Sequence, residues 1–177
     1  GVWAGFVNRL PGIMTLLIMG TVTAFLFRHY EPLIQQASIF AIFITLITGT
    51  AGNTGTQSLA VAIRKIGLHE EEQSFWKVLV QEGTTGLGIG LISGAVVFGI
   101  VSLWQGNIVL GGIIGFAMFA SIFVAALTGT SIPFALEKFD FDPSIASGPF
   151  ITTVNDLTTV LVYFTIVSQF ISVYLVK

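Results

Sequence analysis

The charged residues of this chain occur in clusters, and four long stretches between the clusters contain no charge at all. These stretches are residues 10–27, 32–63, 83–136 and 157–176. A helix needs about 20 mostly apolar residues to cross the roughly 30 Å hydrocarbon core of a bilayer. Each stretch is long enough for one crossing or more, so we predict a polytopic membrane protein embedded in the lipid bilayer.

The composition supports the same prediction. Of the 177 residues, 54% are hydrophobic and 9% are charged, whereas a soluble domain carries roughly 25% charged residues. The sequence contains no Cys, which excludes disulfide scaffolds and thiolate metal sites. The net charge of -2 provides no basic surface, so nucleic acid is not expected as a partner.

We predict an all-α fold with five transmembrane helices per chain. The first helix opens with Pro11, a residue that suits the first turn of a helix. The second lies within 32–63 and ends or breaks at a glycine-rich run, 49–58. Stretch 83–136 holds two helices, which are divided at the turn-forming residues Gln105-Gly106-Asn107. The last helix begins near Pro149.

The distribution of Lys and Arg predicts the orientation in the membrane. Arg28 and Lys177 fall on one side, whereas the N-terminal side has five basic residues: Arg9, Arg64, Lys65, Lys77 and Lys138. Because cytoplasmic loops are enriched in Lys and Arg, we expect a cytoplasmic N-terminus and a C-terminus outside the plasma or inner membrane. The acidic run Glu70-Glu71-Glu72 is interpreted as a solvated helix start rather than as a metal site.

Asp156 is the only acidic residue well inside a predicted helix. A charge at that depth costs about 2.5–3.5 kcal/mol or more, which favours a functional role. No Lys or Arg lies at the same depth to pair with it, so a cation is the favoured partner. The alternative is a structural Asp that bonds hydroxyl groups. At 3.6 residues per turn, its side of the helix also carries polar residues and a proline: Pro149, Thr152, Thr153, Thr159 and Tyr163.

Run 49–58 allows two interpretations. Gly49, Gly52 and Gly55 recur every three residues, among Asn53, Thr54, Thr56 and Gln57. The first interpretation is a broken helix that lines a wet pore, because exposed carbonyls at membrane depth need a protein interior or a cavity. The second interpretation is a face of small residues that packs closely against another helix. Packing does not require Asn and Gln, which favours the pore.

Other glycines and one carboxylate are interpreted by position. Glycines four residues apart are predicted to form the helix contacts that hold the bundle together: Gly86, Gly90 and Gly94, then Gly111 with Gly115. Glu82 stands at the mouth of the third helix, and a role in attracting ions is left open there.

Catalysis is not predicted. An intramembrane metalloprotease needs paired His residues on a helix, but His29 and His69 lie outside the predicted spans. The single deep acid per chain does not form a carboxylate pair. The sequence has no G-x-x-x-x-G-K phosphate loop, so no pump driven directly by ATP is encoded here.

Several motifs together resemble a known family. They are Arg9-Leu10-Pro11, Gly52-Asn53-Thr54-Gly55-Thr56-Gln57, Glu82, Asp142-Pro143, Ser147-Gly148-Pro149 and Asp156. In this order and spacing, over essentially the whole chain, they resemble the transmembrane domain of the MgtE magnesium channels and transporters. The resemblance implies a five-helix domain, residues 1–177, that forms a homodimer around a two-fold pore. The resemblance also implies upstream cytosolic regulatory domains, including the paired CBS modules that sense Mg²⁺ in this family, and the lack of Met at residue 1 agrees with an upstream part that this sequence does not include.

The resemblance also implies site residues. Asp156 matches the pore aspartate, Asn53 matches the Asn that approaches the hydrated ion, and Thr152 stands where a backbone carbonyl lines the site. Two positions depart from some members, since Gly148 and Thr56 replace Asn. The expected function is channel-like uptake of Mg²⁺, with other divalent cations as further candidates, into the cytoplasm. A carrier coupled to Na⁺ or H⁺, and a non-transporting anchor for a cytosolic sensor, are the alternatives.

Overall fold

The structure is a computed structural model that describes residues 1–68 and 74–176. This part of the chain forms six α-helices and one short 3-10 helix (Pro143–Ala146): α1 (Val2–His29), α2 (Glu31–Gln36), α3 (Ile39–Gly67), α4 (Phe75–Gln105), α5 (Ile108–Lys138) and α6 (Pro149–Leu175). All but α2 are long and apolar enough to cross a membrane. The prediction of an all-α fold with five membrane-spanning helices is confirmed.

The predicted break in the second span is wrong, because α3 is one continuous helix through 49–58. Its threonines donate their hydroxyl hydrogens to carbonyl oxygens of the preceding turn, as Thr54 does to Thr50 at 3.2 Å and Thr56 does to Gly52 at 2.9 Å. These side chains satisfy their own polar groups inside the helix. Three glycines and several polar residues therefore do not end it.

The start of the first helix is also earlier than predicted. Pro11 lies inside α1, which begins at Val2. The segment before Pro11 carries apolar residues at helical spacing, including Trp3, Phe6 and Leu10, and this pattern favours a helix ahead of the proline. By contrast, the predicted start of the last helix at Pro149 is confirmed.

The turn between the third and fourth spans is confirmed at Gln105-Gly106-Asn107. Gly106 ends α4 with a φ of 63°, in the left-handed region that glycine adopts at low cost. Asn107 caps α5, since its side-chain oxygen accepts hydrogen bonds from the backbone N–H groups of Val109 and Leu110, both at 3.0 Å. This pair of residues closes the α4–α5 hairpin.

Helix α5 is the centre of the bundle. It packs against α3, α4 and α6, and its residues Ile114, Met118 and Ile122 are fully buried. Helix α6 contacts α1, α3 and α5, whereas no residue of α1 is buried. The α3–α6 pair therefore lies beside the central helix, with α1 on the far side of α6.

The glycine contacts predicted for the bundle are confirmed between α4 and α5. A Cβ added at Gly86 or Gly90 would press on Ala126 or Phe119, and one added at Gly111 would overlap Ser102. The acidic run Glu70-Glu71-Glu72, His69 and Lys177 lie outside the described residues.

Candidate cation site

A polar cavity of about 320 Å³ opens between α3 and α6. The α3 side supplies small and polar residues, and α6 supplies a threonine, an amide and a carboxylate. The lining residues are Thr45, Thr48, Gly49, Gly52, Asn53, Thr56, Thr152, Asn155 and Asp156. Asp156 is the one lining residue with an ionisable side chain, so the cavity offers a cation one carboxyl group among neutral oxygens.

The three residues predicted as a metal site all lie on this cavity. Asn53 comes from α3, while Thr152 and Asp156 stand one turn apart on α6. Asn53 and Thr152 are exposed, and Asp156 is half-buried. The Thr152 hydroxyl donates to the Gly148 carbonyl oxygen at 3.2 Å. Two helices that are far apart in sequence thus bring together the residues that the sequence singled out.

The rest of the polar stripe predicted around Asp156 does not reach the cavity. Thr153, Thr159 and Tyr163 are buried in the bundle. Thr153 donates to the Pro149 carbonyl oxygen at 3.0 Å, and the Tyr163 hydroxyl donates to the carbonyl oxygen of Phe40 on α3. These three residues face the interior of the bundle, and Thr152 is the stripe residue that lines the cavity together with Asp156.

The glycines of run 49–58 divide between the cavity wall and helix packing, although the helix is not broken there. A Cβ at Gly49 or Gly52 would meet no atom within 4 Å, and both residues line the cavity. Gly55 is instead a packing residue, because a Cβ there would overlap the side chain of Asn155. Gly129 of α5 packs against Gly55 from another side, because a Cβ at Gly129 would overlap the Gly55 carbonyl oxygen.

Sequence reasoning missed three lining residues, Thr45, Thr48 and Asn155. The two threonines continue the spacing of Gly49, Gly52, Asn53 and Thr56 backwards along α3, so a helical wheel of this span would have placed them on the same face. The sequence pointed only weakly to Asn155, as an amide directly next to Asp156.

Glu82 does not line the cavity. It is partly exposed on α4, and its carboxylate accepts a hydrogen bond from the Ser58 hydroxyl on α3 at 2.9 Å. This bond joins α3 to α4. The role in attracting ions that was left open for Glu82 stays a prediction.

The segment ahead of α6 is held by its own turns. The Asp142 carboxylate accepts a hydrogen bond from the backbone N–H of Ser144 at 3.0 Å, and this bond lowers the pKa of Asp142. Gly148 precedes α6 with φ 73° and ψ -135°, a conformation that residues with a Cβ rarely adopt. The backbone conformation thus explains why a glycine stands at position 148.

Comparison with known proteins decides the family. The model of the MgtE family, described as a divalent cation transporter, matches residues 44–166, which include every residue of the cavity. The chain belongs to the MgtE family. It is 51% identical over 164 residues to the magnesium transporter MgtE of Enterococcus faecalis. The aligned residues make up 92% of this chain and 36% of that protein.

Two more distant relatives carry the same name. The chain is 37% identical to magnesium transporter MgtE of Bacillus subtilis over 93% of its length, and 29% identical to that of Thermus thermophilus over 89%. The matches cover 37% and 35% of those proteins. The chain therefore spans about a third of the length of the relatives it matches.

Proposed function

We propose that this chain is the transmembrane, ion-conducting domain of a magnesium channel, and that Mg²⁺ passes the cavity between α3 and α6 on its way into the cytoplasm. The observation that carries the proposal is the position of Asp156, a half-buried carboxyl group in an otherwise neutral polar cavity of a membrane-spanning bundle. The family match and the relatives named as magnesium transporters support the choice of ion.

The chemistry of the cavity suits hydrated Mg²⁺. This ion dehydrates reluctantly, keeps several waters and is usually held by one or two carboxylates rather than by a full protein cage. Six waters occupy roughly 180 Å³ at about 30 Å³ each, less than the cavity volume of about 320 Å³. We propose that Asp156 attracts the ion, while Asn53 and Thr152 contact it through its water shell.

A homodimer would complete the site. A two-fold axis beside α3 and α6 brings a second Asp156 to the same ion, which supplies two carboxylates from one acid per chain. The exposed side chains of Asn53 and Thr152 support an axis on this side of the bundle. The membrane potential supplies the driving force, about 4.6 kcal/mol per 100 mV for a divalent cation.

A simple membrane anchor would not need this cavity. An anchor gains nothing from a carboxyl group and an amide at membrane depth, which are costly to bury. We place the domain in the plasma or inner membrane, with the N-terminus in the cytoplasm.

The test is Mg²⁺ flux through the reconstituted chain in liposomes. The vesicles carry a membrane potential but no Na⁺ or pH gradient, so only a channel-like path conducts. We expect Mg²⁺ flux from the wild type and its loss in Asp156→Asn, which keeps the size and hydrogen bonding of the side chain but removes its charge.

Asp142→Asn is the matched control. Asp142 lies outside the spans, and an Asn there still accepts the Ser144 hydrogen bond, so flux and Mg²⁺ affinity should equal those of the wild type. Wild-type affinity and selectivity in Asp156→Asn would make Asp156 a structural acid. Flux that appears only with a Na⁺ or pH gradient would indicate a coupled carrier instead of a channel.

A further inference from the structure

Asn155 is a buried amide directly next to Asp156 on α6. Its side chain is 2% exposed, and its Nδ2 donates a hydrogen bond to the Gly52 carbonyl oxygen on α3 at 3.4 Å. Its Oδ1 is buried and has no hydrogen-bond partner in the described part of the chain. The residue thus spans the gap between α3 and α6 at the inner wall of the cavity.

The glycines around Asn155 leave space for a side chain of its size. A Cβ at Gly55 would overlap the Asn155 oxygen and lie 2.7 Å from its nitrogen. Gly129 brings α5 against the carbonyl oxygen of Gly55 from another side. Helices α3, α5 and α6 therefore meet at Gly55, and the Asn155 side chain occupies the space that a side chain at Gly55 would take.

Stability alone does not explain an asparagine at this position. Its hydrogen bond to the Gly52 carbonyl oxygen is long, at 3.4 Å, and a buried acceptor without a partner costs free energy. An apolar side chain of similar size, such as Leu, would fill the same space without an unsatisfied oxygen. Residues that disfavour stability in this way tend to be found at functional sites.

The contact of Asn155 joins the two chain segments that carry the proposed ligands. Asn155 directly precedes Asp156, and its partner Gly52 directly precedes Asn53. A shift of α6 along α3 at this point would move Asp156 relative to Asn53. The Asn155 amide therefore lies where it can set the distance between Asp156 and Asn53.

We infer that Asn155 is a positioning residue of the cation site, which ties α6 to the Gly52 carbonyl and so holds Asp156 opposite Asn53. The inference rests on the proposed function, in which Asp156 and Asn53 bind the cation. Residues that orient metal ligands typically contribute about 10–100-fold to metal affinity. Asn155 acts through Asp156 and need not touch the ion.

The first test replaces Asn155 by Leu and measures Mg²⁺ binding by calorimetry and thermal unfolding in detergent. We expect the Mg²⁺ Kd to rise by about tenfold or more, with an unfolding temperature equal to or above that of the wild type. Thr159→Val is the control, since Thr159 is buried one turn further along α6 and does not line the cavity. It should keep the wild-type Kd.

The second test separates positioning from packing and does not depend on whether Asn155→Leu folds. Gly55→Ala alone should lower the unfolding temperature, because its Cβ collides with the amide. Adding Asn155→Ser removes the collision, so the double variant should regain stability but not Mg²⁺ affinity. A double variant that regains both would show that Asn155 only fills space.

The two proposals fail in different ways. A wild-type chain that binds no Mg²⁺ would overturn the proposed function, and the role of Asn155 with it. Wild-type binding of Mg²⁺ together with an unchanged Kd in Asn155→Leu or in the double variant would overturn the role of Asn155 alone.

Discussion

Gly94 of α4 and Gly115 of α5 approach each other so closely that a Cβ on either residue would lie 2.7 Å from the carbonyl oxygen of the other. The two backbones are in direct contact there. Inside a bilayer the hydrophobic effect does not drive helices together, so close packing of this kind carries much of their association. The α4–α5 hairpin therefore depends on the absence of side chains at this crossing.

A methyl group at Gly94 should destabilise the bundle. We expect Gly94→Ala to lower the free energy of unfolding by about 1–3 kcal/mol, because the helices must separate to admit the Cβ. Gly88→Ala on the same helix is the control, since a Cβ there meets no atom within 4 Å. It should be neutral or stabilise by up to about 1 kcal/mol through helix propensity. Thermal unfolding in detergent measures both, and equal stability of the two variants would contradict the packing argument.

Asn53 should contribute to Mg²⁺ flux rather than to packing. Asn53→Leu removes an oxygen from the cavity wall without adding charge, and its exposed side chain has room for the change. We expect reduced Mg²⁺ flux in liposomes, with folding and the oligomeric state unchanged.

Gln57→Leu provides the control for that experiment. Gln57 is an exposed amide one turn further along α3 and does not line the cavity. The same chemical change there should leave flux at the wild-type level. Equal flux in all three proteins, or dissociation of the Asn53 variant, would mean that Asn53 is not part of the ion path.

The predicted orientation can be tested by labelling cysteines introduced at two exposed positions. Ser74 precedes α4 and Gln105 ends it, so the two residues lie on opposite sides of the membrane. With a cytoplasmic N-terminus, an impermeant reagent on intact cells should label Gln105→Cys and not Ser74→Cys. The native chain has no Cys to interfere. The reverse pattern would place the N-terminus outside.

The sequence by itself determined the number of spans and the α4–α5 turn, and it singled out Asp156 as a candidate site residue. Each of these follows from a local property: the spacing of charges, the left-handed preference of Gly106, or the cost of a carboxyl group at membrane depth. Such properties do not depend on which helices are neighbours, which is why they are readable along one chain.

Only the tertiary structure decided what each polar or small residue faces. Gly52 lines the cavity while Gly55, three residues later, packs against Asn155. Thr152 is exposed to the cavity while Tyr163, on the predicted side of Asp156, is buried against α3. Helical periodicity tells which residues share a face, but the helices that cover each part of that face depend on how α3, α5 and α6 cross. Contacts between distant parts of the chain set those crossings.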